Sequence, residues 1–429
     1  MNRQKKLNGL LLNKRVGRYL AIGFAILTGG IVVVGCKSNK AAGVNEDGEQ
    51  KTEMMEVVSI EKGLNEFGLS MYQYLDKQDK NVIFSPFSIS SALGMTFAGA
   101  KGQTAKEMQK VMRYPSLGDE THKGFQKLVK GIETPQKGTQ LSIANSLWAQ
   151  KDYTFLTSYF EKIQQYYGAG VQYVDYINET EEARQLINSW VEQKTRDKIK
   201  NLIKPRVLTQ DTRLVLVNAI YFLGEWMHVF NEAHTHKAPF KLQDGKEIEA
   251  EFMVNSTNYG YYEDKEVQVV ELPYVEGKKS MFVVLPNEKM KYNDFEKMLN
   301  AGMLDKWSAV EERKVDVFLP SFSIQTQANL EQILSKMGMT LAFTDKADFS
   351  GMTGKDDLKI DKVIHQAFID VSEAGTEAAA ATAVIMIRKT SVEPEEKTYF
   401  RANRPFFFFI RDNDSGVMLF AGRVMNPTI

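Results

Sequence analysis

Arg388 and Lys389 stand side by side at the end of a hydrophobic run, Val384 to Ile387, some way short of the C-terminus of a 429-residue chain. A trypsin-like protease cuts after such side chains, so the pair reads as a cleavage site. Ahead of it every side chain from Gly375 to Ala383 is small except Glu377: Thr376, Ala378, Ala379, Ala380, Ala381 and Thr382 fill the stretch. Alanine is a strong helix former. No polar face balances this run, however, and Thr376, Thr382, Val384 and Ile385 favour extended chain. A segment with so little side-chain bulk can lie between two strands and pair with both at small steric cost. The composition points to an exposed loop that is cut and can become a strand.

Nothing else in the chain offers catalysis or a metal site. No Gly-x-Ser-x-Gly elbow is present, there are five histidines, and the single cysteine, Cys36, falls near the N-terminus. His234 and His236, with His228 nearby, lie in a polar stretch without convergent carboxylates and read as a solvated loop. Gly99-Ala-Lys-Gly102 lacks phosphate-loop spacing. The expectation is a protein that is not an enzyme, with no cofactor and no metal. The 54 basic and 54 acidic residues leave no net charge, which argues against a nucleic-acid partner. With 43% hydrophobic residues and no linker-like stretch after residue 60, residues 54–429 are expected to form one large domain.

The N-terminal stretch reads as a secretion signal. Arg3, Lys5, Lys6, Lys14, Arg15 and Arg18 form an acid-free basic start, and Tyr19 to Val34 is apolar but short of the roughly 20 residues of a membrane span. Val33-Val-Gly-Cys36 resembles the bacterial lipobox, which makes residues 1–35 a signal peptide and Cys36 the lipidated first mature residue; the alternative is an uncleaved signal anchor. Residues 36–53 read as a polar tether. Lys37, in place of an aspartate, leans towards a lipid-anchored position at the bacterial outer membrane.

The elements that must hold the loop are legible in part. Ala367 to Val371 reads as a strand leading into it, and Pro405–Arg411 and Val417–Val424, joined by Asp412-Asn-Asp-Ser-Gly416, as a hairpin after it. Val269–Leu272, Ser280–Leu285 and Val315–Leu319 are further strands. Glu181 to Ile203 is the clearest amphipathic helix, with Ala183, Leu186, Ile187, Trp190 and Val191 at helical spacing and Thr180 as its cap. Intermixed strands and helices without strict alternation imply an α+β fold with large sheets.

Glu373-Ala-Gly-Thr-Glu-Ala-Ala-Ala-Ala-Thr-Ala383 is similar to the hinge of inhibitory serpins, the serine protease inhibitors that trap proteases by loop insertion. The resemblance runs from about Leu64 to Ile429. It includes Asn81-Val-Ile-Phe-Ser-Pro-Phe-Ser-Ile-Ser-Ser-Ala-Leu-Gly94, Gly99-Ala-Lys-Gly-Gln-Thr-Ala-Lys-Glu-Met108, Asn218-Ala-Ile-Tyr-Phe-Leu-Gly-Glu-Trp226, Arg404-Pro-Phe-Phe-Phe-Phe-Ile410 and Gly422-Arg-Val-Met-Asn-Pro427. It implies one domain with a main mixed sheet, additional sheets, several helices and an exposed reactive loop at about residues 373–398. Counting sixteen residues onward from Glu373, as in many inhibitory serpins, puts the reactive bond at Lys389–Thr390; a loop one residue shorter puts it at Arg388. Ile385, Met386, Ile387 and Arg388 would then contact the protease, and Val384 and Ile387 also suit elastase-like enzymes. His365, Ser85, Ser88 and Asn218 match a hydrogen-bonded cluster where the sheet opens, and Trp226 the tryptophan at its top. Ser321 stands where some serpins carry a lysine for the residue matching Glu373, which leaves that latch open. The resemblance implies a monomer acting on target proteases. The rival expectation is a non-inhibitory serpin that binds a ligand or serves as a surface interaction protein.

Overall fold

The computed structural model describes residues 60–75, 80–115, 118–376 and 397–429. Signal residues 1–35, Cys36, the tether, Glu377 to Ala383 and Ile385 to Thr390 lie outside the described residues.

The main sheet is mixed and has six strands. They run across it in the order Phe322–Asn329, Lys362–Val371, Gly375–Thr376, Leu214–Glu225, Thr139–Gln150 and Val171–Val174. Leu214–Glu225 is apolar on alternate residues of both faces, as a strand covered on both sides must be. Leu214, Leu216, Ile220 and Phe222 face the large core, whereas Val215, Val217 and Ala219 face a smaller core beneath the helix Thr180–Lys194. That helix buries Ala183, Ile187 and Val191 against the sheet at the expected spacing.

It is shorter than the sequence suggests. Arg196 and Asp197 adopt left-handed φ values of 51° and 60° just beyond Lys194, which turns the chain out of the helix, and Leu186 is exposed. Nor does Thr180 cap it: its hydroxyl donates to the Tyr176 carbonyl at 2.6 Å, and Glu179 holds the cap position without a side-chain bond.

The remaining strands join in a nine-stranded sheet. Val82–Phe84 is followed by Met418–Val424, Phe406–Asp412, Lys279–Pro286, Val267–Pro273, Glu247–Glu263, Glu311–Pro320 and Thr398–Arg401, with His236–Lys241 also pairing the long Glu247–Glu263. Phe406 to Phe409 are all buried, two to each face of their strand. At about 2–3 kcal/mol for each buried side chain, this strand alone anchors the second sheet firmly. The other expected strands fall within the observed ones, and the expected hairpin is the antiparallel pair Phe406–Asp412 and Met418–Val424, each strand starting one residue later than expected.

The neighbours Lys362–Val371 and Leu214–Glu225 run parallel, paired from Lys362 opposite Val215 to Phe368 opposite Tyr221. Above that seam they diverge. Gly375–Thr376 lies in the opening, antiparallel to both: Thr376 is opposite Val371 on one side and Gly224 on the other.

Candidate functional site at the loop hinge and the sheet seam

The hinge begins with a tight reversal. Ser372 N–H donates to the Gly375 carbonyl at 2.9 Å and Gly375 N–H returns to Ser372 at 3.3 Å, so the chain leaves the top of Lys362–Val371 and turns back down beside it. Glycine is required at 375. Its φ is +154°, and a Cβ there would sit 2.0 Å from the Gly224 carbonyl oxygen. Thr376 is fully buried, and its hydroxyl shares a 2.8 Å hydrogen bond with Tyr274. The ring of Tyr274 stacks on Trp226 at 4.7 Å. Trp226 holds the reversal from outside, its indole N–H donating to the Ser372 carbonyl at 3.0 Å and its backbone N–H to the Ala374 carbonyl at 3.0 Å.

Two corrections to the loop follow. Gly375 and Thr376 are strand rather than loop, and Thr398 opens the strand Thr398–Arg401, so the expected span of 373–398 is too wide at both ends. The small side chains explain the first difference: an extended segment with a glycine and a threonine fits a gap that bulkier residues would not enter. The latch left open by Ser321 is filled from another element. Thr235 Oγ donates to the Glu373 carboxylate at 2.7 Å, and the Phe230 N–H donates to the Glu373 carbonyl at 3.0 Å. Ser321 instead bonds the Glu251 carbonyl.

The lower cluster sits on the closed seam. Asn145, Asn218 and His365 occupy one row across three adjacent strands, Asn145 opposite Asn218 and Asn218 opposite His365. Strand alternation turns all three towards the N-terminus of the helix Pro86–Phe97. Ser85 caps that helix by accepting from the Ser88 N–H at 3.1 Å and donates to the Leu419 carbonyl at 2.6 Å.

Complete burial pushes the His365 imidazole down to about 3, so the ring is neutral. The Asn218 amide donates to Ser88 Oγ at 2.5 Å and to Asn145 Oδ1, which leaves its oxygen facing His365. That oxygen can only accept, so His365 carries its hydrogen on Nδ1, and Nε2 accepts from the Ser85 N–H at 3.3 Å. His365, Asn218, Ser85 and Ser88 are each hydrogen-bonded, and none is poised for proton transfer.

Of the five residues grouped as a sheet-opening cluster, Ser85, Ser88, Asn218 and His365 come together here. Trp226 does not: it belongs to the hinge, at the other end of the opening. Three residues of these sites escaped the sequence reading. Asn145 carried a signal, an asparagine amid the apolar alternation of Leu141, Ile143 and Leu147. Tyr274 and Thr235 carried none, since only the fold brings them to the hinge.

Among the described residues no three His, Cys, Asp or Glu side chains gather to hold a metal. His236 Nδ1 donates to the His234 carbonyl at 3.0 Å in an exposed turn.

The sequence profile described as Serpin (serine protease inhibitor) matches residues 62–427. Human Serpin B4 is 37% identical over 390 residues, covering 86% of this chain and 100% of the relative. Among solved structures, uncleaved ovalbumin superposes with a TM-score of 0.78 at 30% identity, over 86% of this chain and 100% of its own. Human thyroxine-binding globulin, solved with thyroxine bound, superposes with a TM-score of 0.79 at 29% identity, over 88% and 100%.

This chain belongs to the serpin family, and its fold is the mixed α+β serpin fold. The expectation that it is not an enzyme rested on a missing motif, and the family match corrects that ground: serpins are described by inhibition of proteases, not by the lack of a catalytic constellation.

Proposed function

We propose that this chain inhibits trypsin-like serine proteases as a suicide substrate cleaved after Lys389. The observation that carries the reading is the hinge. Gly375 and Thr376 already lie antiparallel between two strands whose seam below is held by one row of side chains. In this reading the protease's serine oxygen attacks the Lys389 carbonyl, the bond to Thr390 breaks, and the new amine of Thr390 leaves with a proton. The chain, now an ester of the protease and freed at one end, continues down the opening that Thr376 has entered. Addition of the cut loop as a new strand, with release of stored strain, is the general mechanism of inhibitory serpins.

The register supports it. Six residues beyond Thr376, the antiparallel count reaches His365 on one side and Asn218 on the other, because Thr376 faces Val371 and Gly224. Thr382 would therefore arrive between the two groups whose mutual hydrogen bond it breaks, bringing a hydroxyl able to serve either. Thr376, Ala378, Ala380, Thr382, Val384 and Met386 would share the core face, and Glu377 would point away.

Mixing the protein with trypsin and running a denaturing gel tests this. A detergent-stable complex with a released fragment starting at Thr390 is expected; two clean cleavage products beside fully active trypsin would refute it. Release at Lys389 instead of Thr390 would move the reactive residue to Arg388. The second reading, a ligand-binding serpin, draws on the likeness to thyroxine-binding globulin. It predicts cleavage without a complex.

We also propose, from sequence alone, that Cys36 is lipidated and anchors the chain in a bacterial envelope, on the outer membrane. Replacing Cys36 with Ser should release it from membranes, and retention of the processed Ser variant would rule the anchor out.

A further inference from the structure

The helix Asp119–Ile132 carries a line of lysines on its outer surface. Lys123, Lys127 and Lys130 are exposed and stand four and three residues apart, the spacing of one helical face, whereas Thr121, Gly124, Phe125 and Leu128 are turned inward. The acids that open the helix are engaged at its start: Asp119 pairs with Lys162 at 2.7 Å and Glu120 with Lys123 at 2.5 Å. Both pairs are exposed, and such pairs hold their side chains only weakly.

The chain enters the fold beside this line. Ile60 is buried and packs on Gly124, where a Cβ would come within 2.1 Å of its Cδ1. Gly63 is as close to the end of the helix Gly102–Met112: a Cβ there would lie 2.3 Å from the Arg113 carbonyl oxygen. These two approaches fix residues 60–72, which are helical, so the segment before Ile60 starts at the level of Lys123 and Lys127. Residues 46–59 read Glu-Asp-Gly-Glu-Gln-Lys-Thr-Glu-Met-Met-Glu-Val-Val-Ser, five acids against one lysine. Glu49, Glu53 and Glu56 repeat the four-and-three spacing of the lysines. Lys123 and Lys130 are about 10 Å apart along their helix, and the stretch from Ile60 back to Glu49 covers about 16 Å if helical and about 36 Å if extended, so these acids reach the line in either form.

We propose that residues 46–59 dock on the helix Asp119–Ile132 through Glu49, Glu53 and Glu56, with Lys123, Lys127 and Lys130 as their partners. Sign, number and spacing all match. A single exposed ion pair is weak. Three made within one chain need capture no second molecule, and each holds the others at high effective concentration. The contact is electrostatic, so it is strongest in dilute salt and is screened in 1 M salt, where the Debye length is about 3 Å. While docked, the segment shields the lysine face from other anions. The docking is independent of the inhibitory reading, and the trypsin gel does not bear on it.

A carbodiimide, which joins a carboxylate to an amine in direct contact, tests this on the full chain. In dilute salt the links found by mass spectrometry should run from Glu49, Glu53 or Glu56 to Lys123, Lys127 or Lys130, and they should fall about fivefold in 1 M salt. Amide exchange of residues 46–59 should rise about fivefold in the variant K123E/K127E/K130E. Adding E49K/E53K/E56K to that variant should restore the protection, which a loss of the lysines for any other reason would not allow. Links scattered over lysines elsewhere on the surface, links indifferent to salt, or exchange unchanged in the lysine variant overturns the docking. So does failure of the doubly reversed chain to regain protection. Binding of inorganic polyphosphate to the lysine face without any link from the segment would give that face to an external anion, and overturns the segment as its occupant.

Discussion

His365 and Asn218 face each other across the parallel seam of the main sheet, and the hydrogen bond between them ties the two strands that the hinge has begun to separate. The bond is directional in a useful sense. Asn218 gives its two hydrogens to Ser88 and Asn145 and keeps its oxygen for His365, so a single side chain couples the seam to the helix beneath it.

Asn218→Ala should weaken the closed form. The change strands the His365 Nδ1 hydrogen in a fully buried site, which costs about 1–3 kcal/mol. The midpoint of unfolding should fall, and on warming the intact chain should pass more readily into an inactive form with its loop inserted. Urea unfolding and residual trypsin inhibition after mild heating measure both. Wild-type values for each would show that the row does not hold the seam.

Stability should also decline in mild acid. His365 is lowered to about 3 by burial, and His122, beside Tyr167, to about 4 by burial first and by Lys162 second, with Asp119 opposing. An unfolded histidine titrates near 6.5, so below that value the unfolded chain binds protons that the folded chain refuses. Their contribution is complete above about pH 6.5 and is lost as pH falls towards 4, at about 1.4 kcal/mol per pH unit for each histidine, and Glu61, raised to about 7 by burial and then by Asp305, offsets about one of them between pH 7 and 4.5. Replacing His122 with Phe should lower the slope by about 1.4 kcal/mol per pH unit in denaturant titrations between pH 6 and 4.5. An unaltered slope would assign the acid sensitivity to other groups.

Thr376→Arg should turn the inhibitor into a substrate. Its position is buried against Tyr274, and an unpaired charge there costs at least several kcal/mol. Because Thr376 is already seated, part of that cost falls on the intact form and the hinge should come out of the sheet before cleavage. Hydrogen exchange at Gly375 and Thr376 should rise, and more inhibitor should be consumed per trypsin inactivated. Glu377→Ala is the control and should leave that ratio unchanged. A wild-type ratio for Thr376→Arg would disprove the register.

The sequence displayed what local chemistry can display. The run of small residues before Arg388 and Lys389, the polar Asn218 within an apolar strand and the turn Asp412-Asn-Asp-Ser-Gly416 each announce themselves by residue type. What it withheld depends on chain segments distant in sequence. Thr235 latches Glu373 from 138 positions away, and Tyr274 meets Thr376 from 102. Neither residue differs in type from many threonines and tyrosines elsewhere. The premature end of the helix after Lys194 is a third case: Arg196 and Asp197 accept left-handed backbone that their side chains do not advertise.

The seam between Lys362–Val371 and Leu214–Glu225 has an arithmetic of its own. Continued downward in the same register, the two residues after Thr376 would meet no parallel rung, each of the next seven would undo one and create two antiparallel ones, and antiparallel pairing is the slightly stronger kind. The closed sheet is thus like a zip whose slider is engaged at the top with its teeth misfitted below. No step has to find the opening. Every step from Thr376 onward runs downhill in backbone pairing, and what holds the slider is a row of three side chains, Asn145, Asn218 and His365, partway down the track.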